Sequence, residues 1–264
     1  MSPTVPRSPG LPGVLVVMPA WNEQDAIGST IHDVTSTLGV DVLVVDDGSI
    51  DHTAREAMRA GAVVCSLPYN LGVGGAMRTG YRYALRHGYD TVVQIDADGQ
   101  HDPRYLPHLL EALRTRDDQP GADLVIGARF AGEGADYQVS WVRRMAMRML
   151  AGTLSRLAGT RLTDVTSGFR VANRRAVEVF ASHYPAEYLG DTVESMVIAL
   201  RAGCSVTQVA VEMRPRQGGV PSQTPFKAAL FLGRAVMALA LALIRRWPDV
   251  PGDREPAATV GGLP

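Results

Sequence analysis

The sequence predicts an α/β protein: a mostly parallel, doubly wound sheet, then a helical extension and a C-terminal apolar helix. Three observations carry that expectation. Short continuous apolar runs recur through the first ~130 residues, each followed by apolar residues at helical spacing. The runs lack in–out alternation, as strands covered on both faces do. Clusters of Gly, Asp and Asn stand at the ends of the runs, where an open α/β sheet binds its ligands.

The elements follow in order. "GVLVVMPA" is a buried strand ending at Pro19, and "EQDAIGSTIHDVTSTL" follows with Ile27, Ile31 and Val34 on one helix face. "VDVLVVDDGS" is a second strand and "DHTAREAMRAG" its helix. "AVVCSL" is a third, followed by the loop "PYNLGVGGA" and a helix reaching His87. "DTVVQIDAD" is a fourth, with the helix "PRYLPHLLEALRTR" opened by Pro103 in its first turn. "ADLVIGARF" is a fifth. Then the rhythm changes: "SWVRRMAMRMLAGTLSRLAG" is a long helix, "SGFRVANRRAVEVFASHY" contains another, "DTVESMVIALRAG" is a third, and "CSVTQVAVEM" is a late strand.

The ends read differently. Residues 1–12, rich in Pro and without the apolar stretch of a signal peptide, are expected to be a disordered leader, and 249–264 a disordered tail. Between them lie one domain, 13–224, with halves 13–130 and 131–224, and the apolar helix 225–248. The uninterrupted apolar part of that helix, Ala235 to Ile244, is shorter than the ~20 residues that span a bilayer. Two readings stay open: a core or subunit-contact helix in a homo-oligomer, or a helix lying in a membrane surface with Arg245, Arg246 and Trp247 at the headgroups.

Composition narrows the function. A chain of 264 residues with 46% hydrophobic residues is long enough for a sizeable core, and a net charge of −1 excludes a general nucleic-acid binder. The two cysteines, Cys65 and Cys204, each stand alone in an apolar stretch and read as buried reduced thiols.

Four clusters fall at strand ends: "PAWNE" (19–23), "DDGSID" (46–51), "NLGVGGA" (70–76) and "DADGQH" (96–101). Ser49 and Asp51 suit a turn and a helix cap. Asp46, directly behind four apolar residues, is costly to bury unpaired. The glycines at 72, 74 and 75 do not meet the GxGxxG spacing. Asp96 and Asp98, taken as positions i and i+2 of a strand, face one way, and with Gln100 they offer oxygen ligands to a hard divalent cation. Asp102, before Pro103, reads as the next helix's cap, and His101 as a solvent-side residue.

Together "MPAWNE", "VVDDGSIDHT", "YNLGVGGAMRTG", "QIDADGQHDP", "VIGARF" and "TDVTSGFRV" resemble family 2 glycosyltransferases over residues 14 to 222. The similarity is strongest to the branch that includes dolichol-phosphate mannosyltransferase and bacterial polyprenyl-phosphate sugar transferases. The resemblance implies a GT-A fold, a nucleotide-diphosphate sugar donor and inversion at the anomeric carbon. It implies that Pro19, Ala20, Asn22 and Glu23 line the nucleoside pocket, that Asp46 or Asp47 holds base or ribose, and that Asn70, Gly74 with its neighbouring glycines, and Arg78 lie along the nucleotide. It places Mg²⁺ or Mn²⁺ on Asp96, Asp98 and Gln100 against the diphosphate. Arg129 and Arg143 match arginines that meet an acceptor phosphate, and Arg216 matches a loop arginine near the donor phosphates.

The implied enzyme moves a hexose from a UDP- or GDP-sugar to a polyprenyl phosphate, as a cytoplasmic protein peripheral to the inner face of the membrane. A phosphate-monoester acceptor is already ionised and needs arginines rather than a base. Two positions depart from the branch: Met147 stands where a serine is usual, and "VPSQ" replaces the usual "SK" after the loop glycine. A hydroxyl acceptor therefore stays open, with Asp191 or Glu194 as its base. A nucleotidyltransferase lacks support, because "PAWNE" stands where its basic glycine-rich loop belongs. A non-catalytic membrane module has no use for Asp96, Asp98 and Gln100 together.

Overall fold

A computed structural model of the chain describes residues 11–114, 121–129, 141–185 and 191–215. The C-terminal helix expected over 225–248, the leader, the tail and Arg216 lie outside the described residues, as do the side chains of Arg143 and Met147.

Seven strands form one sheet in the order β3-β2-β1-β4-β6-β5-β7. They are β1 (Val14–Ala20), β2 (Asp41–Asp46), β3 (Val63–Ser66), β4 (Thr91–Gln94), β5 (Leu124–Arg129), β6 (Arg170–Ala172) and β7 (Val206–Val211). All neighbours pair in parallel except β6, which runs antiparallel to both β4 and β5. The expected strands are present, and β6 is an addition to them. Its three residues sit inside a stretch read only as helical, too short for a periodicity to register.

The helices are α1 (Ile27–Leu38), α2 (Thr53–Arg59), α3 (Gly72–Arg86), α4 (Leu106–Ala112), α5 (Trp141–Ala158), α6 (Arg174–His183) and α7 (Asp191–Arg201). Alternate residues of β1 face opposite layers. Leu15 and Val17 join Met77 and Tyr81 of α3, Leu150 and Leu154 of α5, Phe180 of α6 and Met196 of α7. Val16 and Met18 join Ile27, Ile31 and Val34 of α1, Ala57 of α2 and Leu109 of α4. The sheet is thus covered on both faces, which accounts for its unbroken apolar strands. The helix expected from Pro103 instead opens with a 3₁₀ turn, Pro103–Tyr105, before α4. Pro107 has no N–H to close an α-helical bond onto Pro103, so the tighter turn comes first.

The connection order matters for function. From β1 the chain moves to β2 on one side and later to β4 on the other, leaving a crevice beyond the carboxyl ends of β1 and β4. "PAWNE" ends β1 and "DADGQ" follows β4, so both border that crevice. Among the described residues no helix is long and apolar enough to cross a membrane.

Candidate active site

The loops after β1 and β2 are laced together. The Asp47 amide donates to the Ala20 carbonyl at 2.8 Å. The Asn22 amide donates to Ser49 Oγ at 3.0 Å, and Asn22 Oδ1 accepts from the Ile50 amide at 3.0 Å. Asn22 holds φ at 55°, a left-handed conformation that Asn tolerates better than most side chains. The Glu23 amide donates to Thr53 Oγ1 at 2.8 Å. Asp51 accepts from the Thr53 and Gln24 amides, which holds it below the usual carboxylate range although burial opposes that. Asp51 thus turns the chain into α2 from one residue before its N-cap, His52, rather than capping the helix itself, and Ser49 ties the two loops. Gly48 has φ of 72°, and a Cβ there would lie 2.8 Å from the Tyr69 carbonyl carbon. Only glycine lets the two loops approach this closely.

The two adjacent aspartates divide their work. Asp47 accepts from the Leu71 amide at 2.7 Å through one oxygen and from the Gly72 amide at 2.8 Å through the other. It therefore caps the N-terminus of α3, where the buried Gly72, Gly74 and Gly75 let the helix start against the sheet. Burial raises its pKa, the two amides only partly opposing this. Asp46, 6% exposed, accepts from the Ser49 amide at 3.1 Å, so its burial is partnered. Asn70 Oδ1 also receives the Gly72 amide. Arg78, nearly two turns into α3, donates to the Ser182 carbonyl of α6 at 2.8 Å.

The segment 96–102 corrects two expectations. β4 ends at Gln94, so Asp96 and Asp98 lie in a turn, with Gly99 at φ 75°, and the strand-period argument does not apply to them. They differ in environment: the Asp96 side chain is 41% exposed, while Asp98 is buried and accepts from the Gln100 amide at 3.0 Å. His101 is buried rather than solvent-facing. Its Nδ1 accepts from the Asp96 amide at 3.0 Å, its ring stacks on Phe169, and Nε2 lies 3.7 Å from Asp96 Oδ2. The reason is local: the turn folds back on itself, leaving the Asp96 amide to be satisfied by a side chain. Gly168 forms the floor beneath Asp96, because a Cβ there would lie 2.9 Å from Asp96 Oδ2.

Asp102 caps the following turn through the Arg104 amide at 3.0 Å, as the sequence indicates. It does more. Arg214, just past β7, donates to Asp102 at 2.8 Å and to Asp33 of α1 at 2.8 Å, while its amide donates to the Gln100 carbonyl at 2.9 Å. Met213 pairs with His101 in an antiparallel bridge. Burial would raise the Asp102 pKa, but Arg104 and Arg214 hold it below the usual carboxylate range. Arg214 thus braces the turn from behind. Arg214→Ala is expected to raise the donor KM by about threefold to tenfold, a charged hydrogen bond's worth. Arg104→Ala, on the solvent side of Asp102, should leave it unchanged. Equal effects from the two variants would remove the bracing role.

The other half of the site is built on the loop "DVTSGF", which enters β6. Arg129, at the end of β5, donates through Nε to Asp164 at 2.8 Å and reaches Thr166 Oγ1 at 3.3 Å, its side chain still 54% exposed. Burial raises the Asp164 pKa, but Arg129 and Thr166 outweigh it, so Asp164 stays ionised below the usual range. Arg170, 1% exposed, donates to the carbonyls of Ser167 and Thr192 at 2.8 Å each and to Ser195 Oγ at 2.9 Å. One loop therefore touches Asp96 through Gly168, Arg129 through Asp164, and the start of α7 through Arg170.

Asp191 opens α7 and is 8% exposed, with no hydrogen-bond partner for Oδ2 among the described residues. Burial pushes it up to about 6, Arg170 offsetting part of the rise and the Asp96 charge adding to it. Glu194 lies one turn on, partly buried. The sign of the stability effect follows. A raised folded pKa means the protonated form favours the fold, so that contribution is full below about pH 4 and is lost as pH rises through about 6. Asp191→Asn is expected to be more stable than the parent by roughly 2–3 kcal/mol at pH 8 and about equal to it at pH 4 in metal-free buffer. Urea titrations at the two pH values measure this; a pH-independent difference would contradict it.

The structure thus brings Asp96, Asp98, Gln100, Asp191 and Arg129 to one edge of the sheet, with Pro19–Glu23, Asp46 and Asn70 beside it. The residues fit a hard cation of the Mg²⁺ or Mn²⁺ kind. Two carboxylates and an amide form an incomplete oxygen set, of the sort that substrate phosphates complete. Among the described residues no group of three or more His, Cys, Asp or Glu forms a closed cage. Sequence reasoning missed Asp164, Arg170 and Arg214. An aspartate four residues before a glycine, and arginines next to β-strand ends, were the available signals, but their partners are distant in sequence.

Comparison with known proteins shows the family and the fold. A family model described as Glycosyl transferase family 2 matches residues 15–180. The chain is 35% identical over 217 residues to an undecaprenyl-phosphate mannosyltransferase of Micrococcus luteus, covering 78% of this chain and 85% of that protein. It is 32% identical over 215 residues to a polyprenol monophosphomannose synthase of Mycolicibacterium smegmatis, covering 78% and 79%. Among solved structures, glucosyl-3-phosphoglycerate synthase of Mycobacterium tuberculosis with Mg²⁺ and UDP superposes with a TM-score of 0.66 at 26% identity, covering 87% of this chain and 78% of that one.

Proposed function

The chain belongs to glycosyl transferase family 2 and is a glycosyltransferase of GT-A architecture, and from that premise we propose a polyprenyl-phosphate hexosyltransferase. It takes a hexose from a UDP- or GDP-sugar and works at the cytoplasmic face of the membrane. The observation that carries this reading is the loop 164–169, which joins a half-exposed arginine, Arg129, to the floor of Asp96. A cation suited to a phosphate thus stands beside the carboxylates suited to the donor.

The residues divide the reaction as follows. Pro19, Ala20, Asn22 and Glu23 line the nucleoside pocket. Asp46 is the aspartate for base or ribose, because both oxygens of Asp47 already cap α3. Asn70 and Gly74 lie along the nucleotide, and Arg216, by its match to the family's loop arginine, is assigned to the donor phosphates. Arg78 is tied to α6 and holds the wall of the site rather than the nucleotide itself. Asp96, Asp98 and Gln100 would hold Mg²⁺ or Mn²⁺, which as a Lewis acid stabilises charge left on the departing diphosphate. Arg129 and Arg143 position the acceptor phosphate. That phosphate has a second pKa of about 6 and attacks without a base.

Relatives named for undecaprenyl-phosphate and polyprenol acceptors support the lipid-phosphate choice. One observation favours a second reading. Asp191, buried beside the carboxylate turn with its pKa raised to about 6, has the character of a general base for a hydroxyl acceptor. Arg129 separates the two. On the phosphate reading Arg129→Ala raises the KM for a short polyprenyl phosphate by about 10- to 100-fold and leaves the donor KM unchanged. Arg129→Lys restores only part of the loss, because a point charge cannot replace the fork. An unchanged acceptor KM would refute the assignment.

A further inference from the structure

His101 touches one residue at two places. β4 ends at Gln94, and the Ile95 amide still reaches β1, donating to the Val17 carbonyl at 3.1 Å. The next amide, that of Asp96, turns instead to His101 Nδ1 at 3.0 Å. A ring nitrogen that accepts this hydrogen bond carries no proton, so the proton of the imidazole sits on Nε2. Nε2 is also the ring nitrogen beside the Asp96 carboxylate, 3.7 Å from Oδ2. One imidazole therefore satisfies the backbone of Asp96 and presents an N–H to its side chain.

Of the two partners, the ring is the fixed one. It is 3% exposed and stacks on Phe169 with 4.9 Å between ring centres and 13° between planes. The His101 backbone bridges to Met213, and the Gln100 carbonyl before it accepts from the Arg214 amide at 2.9 Å. The Asp96 side chain, 41% exposed, lies over Gly168 and has no neighbouring side chain on that floor to set its rotamer. The clamped N–H at its side supplies that constraint.

The charge of the partner matters as much as its place. Asp102 is paired with the guanidinium groups of Arg104 and Arg214, which leave little of its charge to any ligand. Among the described residues no arginine or lysine forms a salt bridge with Asp96; the nitrogen base within 4 Å is His101. A neutral donor orients a carboxylate without cancelling its charge, so that charge stays available to a divalent ion.

We infer that His101 is a positioning residue for Asp96: its Nε2–H sets the orientation of the carboxylate and so raises the affinity of the turn for Mg²⁺ or Mn²⁺. This rests on the reading of Asp96 as a metal ligand, and Asp96→Asn is therefore measured alongside.

Mn²⁺ is titrated into the metal-free full chain with UDP or GDP present, and free Mn²⁺ is read by its paramagnetic resonance. His101→Asn puts an amide oxygen near the place of Nδ1, keeping the acceptor for the backbone but losing the Nε2–H. His101→Gln puts an amide N–H near the place of Nε2 and loses that acceptor. Both lose the ring and its stack on Phe169. His101→Asn is expected to bind Mn²⁺ about 10- to 100-fold more weakly than the parent. His101→Gln should regain at least half of that loss on a logarithmic scale, and both should bind the nucleotide in chelator as the parent does. Equal losses in the two variants, or a parallel loss of metal-free nucleotide binding, would make the ring a packing element and overturn the inference. Parent-like Mn²⁺ affinity in His101→Asn, with Asp96→Asn still impaired, would overturn it alone. If the parent binds no Mn²⁺, or Asp96→Asn binds it as tightly as the parent, the metal reading itself fails and the inference falls with it. The unaltered chain gives a check that no folding defect can blur. Nitrogen NMR of the imidazole in contact with Phe169 should show a protonated Nε2 and a bare Nδ1 at neutral pH, and a proton on Nδ1 would overturn the inference.

Discussion

Asp98→Ala is expected to lower kcat/KM by at least about 10³-fold and to abolish metal-dependent nucleotide binding, with little change in melting temperature. Asp98 is buried at the mouth of the β1–β4 crevice, where it accepts from the Gln100 amide two residues on. The turn hydrogen bond from the Gln100 amide that is lost with the carboxylate is worth about 1 kcal/mol. On the proposed reading the substitution costs the site one of the two carboxylates, Asp96 and Asp98, that would hold a divalent ion. The deficit should be specific: titration of UDP or GDP with Mn²⁺ loses its heat signal, while the weaker metal-free binding survives in the nucleoside pocket. Equal binding by Asp98→Ala and the parent would show that the diphosphate is held elsewhere.

The largest expected effect on stability lies at Arg170. Its guanidinium is fully buried and donates to Ser167 O, Thr192 O, Ser195 Oγ and, at 3.4 Å, Val165 O. The Asp191 carboxylate supplies negative surroundings that help make the buried cation tolerable. Arg170→Ala removes the guanidinium donor from the Ser167 and Val165 carbonyls and from Ser195 Oγ, leaves Thr192 O only the Ser195 hydroxyl of these two donors, and opens a cavity, so unfolding should become easier by about 3–5 kcal/mol. Arg170→Met refills the volume but not the donors, and should recover less than half of the loss. Urea denaturation of the three proteins measures both numbers. A cost below about 1 kcal/mol for Arg170→Ala would mean that water or a rearranged loop replaces the guanidinium. The loop also carries Gly168 and Asp164, so the surviving folded fraction of Arg170→Ala should show a raised KM for donor and acceptor together.

How much of this was legible follows from the range of each interaction. β1 to β5, β7 and their helices announce themselves through apolar runs and helical spacing, because burial on both faces of a sheet writes itself into neighbouring residues. β6 does not, being three residues long and defined by Gln94 and Ile126 pairing with Arg170 across the sheet. The same holds in the site. Asp96, Asp98 and Gln100 stand out within five residues, and Asp102 before Pro103 reads correctly as a cap. The second role of Asp102, as the anchor for Arg214, joins positions 112 residues apart. His101 was misjudged because a polar residue in a Gly-rich turn reads as exposed. Only the folded turn shows the Asp96 amide that needs its Nδ1. The choice between Asp46 and Asp47 was likewise closed to local reasoning, since it rests on α3 starting above Asp47.

The most direct measurement is a transfer assay: the purified full chain, a labelled nucleotide sugar, Mg²⁺ or Mn²⁺, and either a short polyprenyl phosphate or the corresponding free polyprenol. The account predicts labelled lipid from the phosphate alone, lost in Asp98→Ala, and retained to within about tenfold in Asp191→Asn because an ionised phosphate needs no base. Transfer to the free alcohol, abolished by Asp191→Asn, with none to the phosphate, would contradict it.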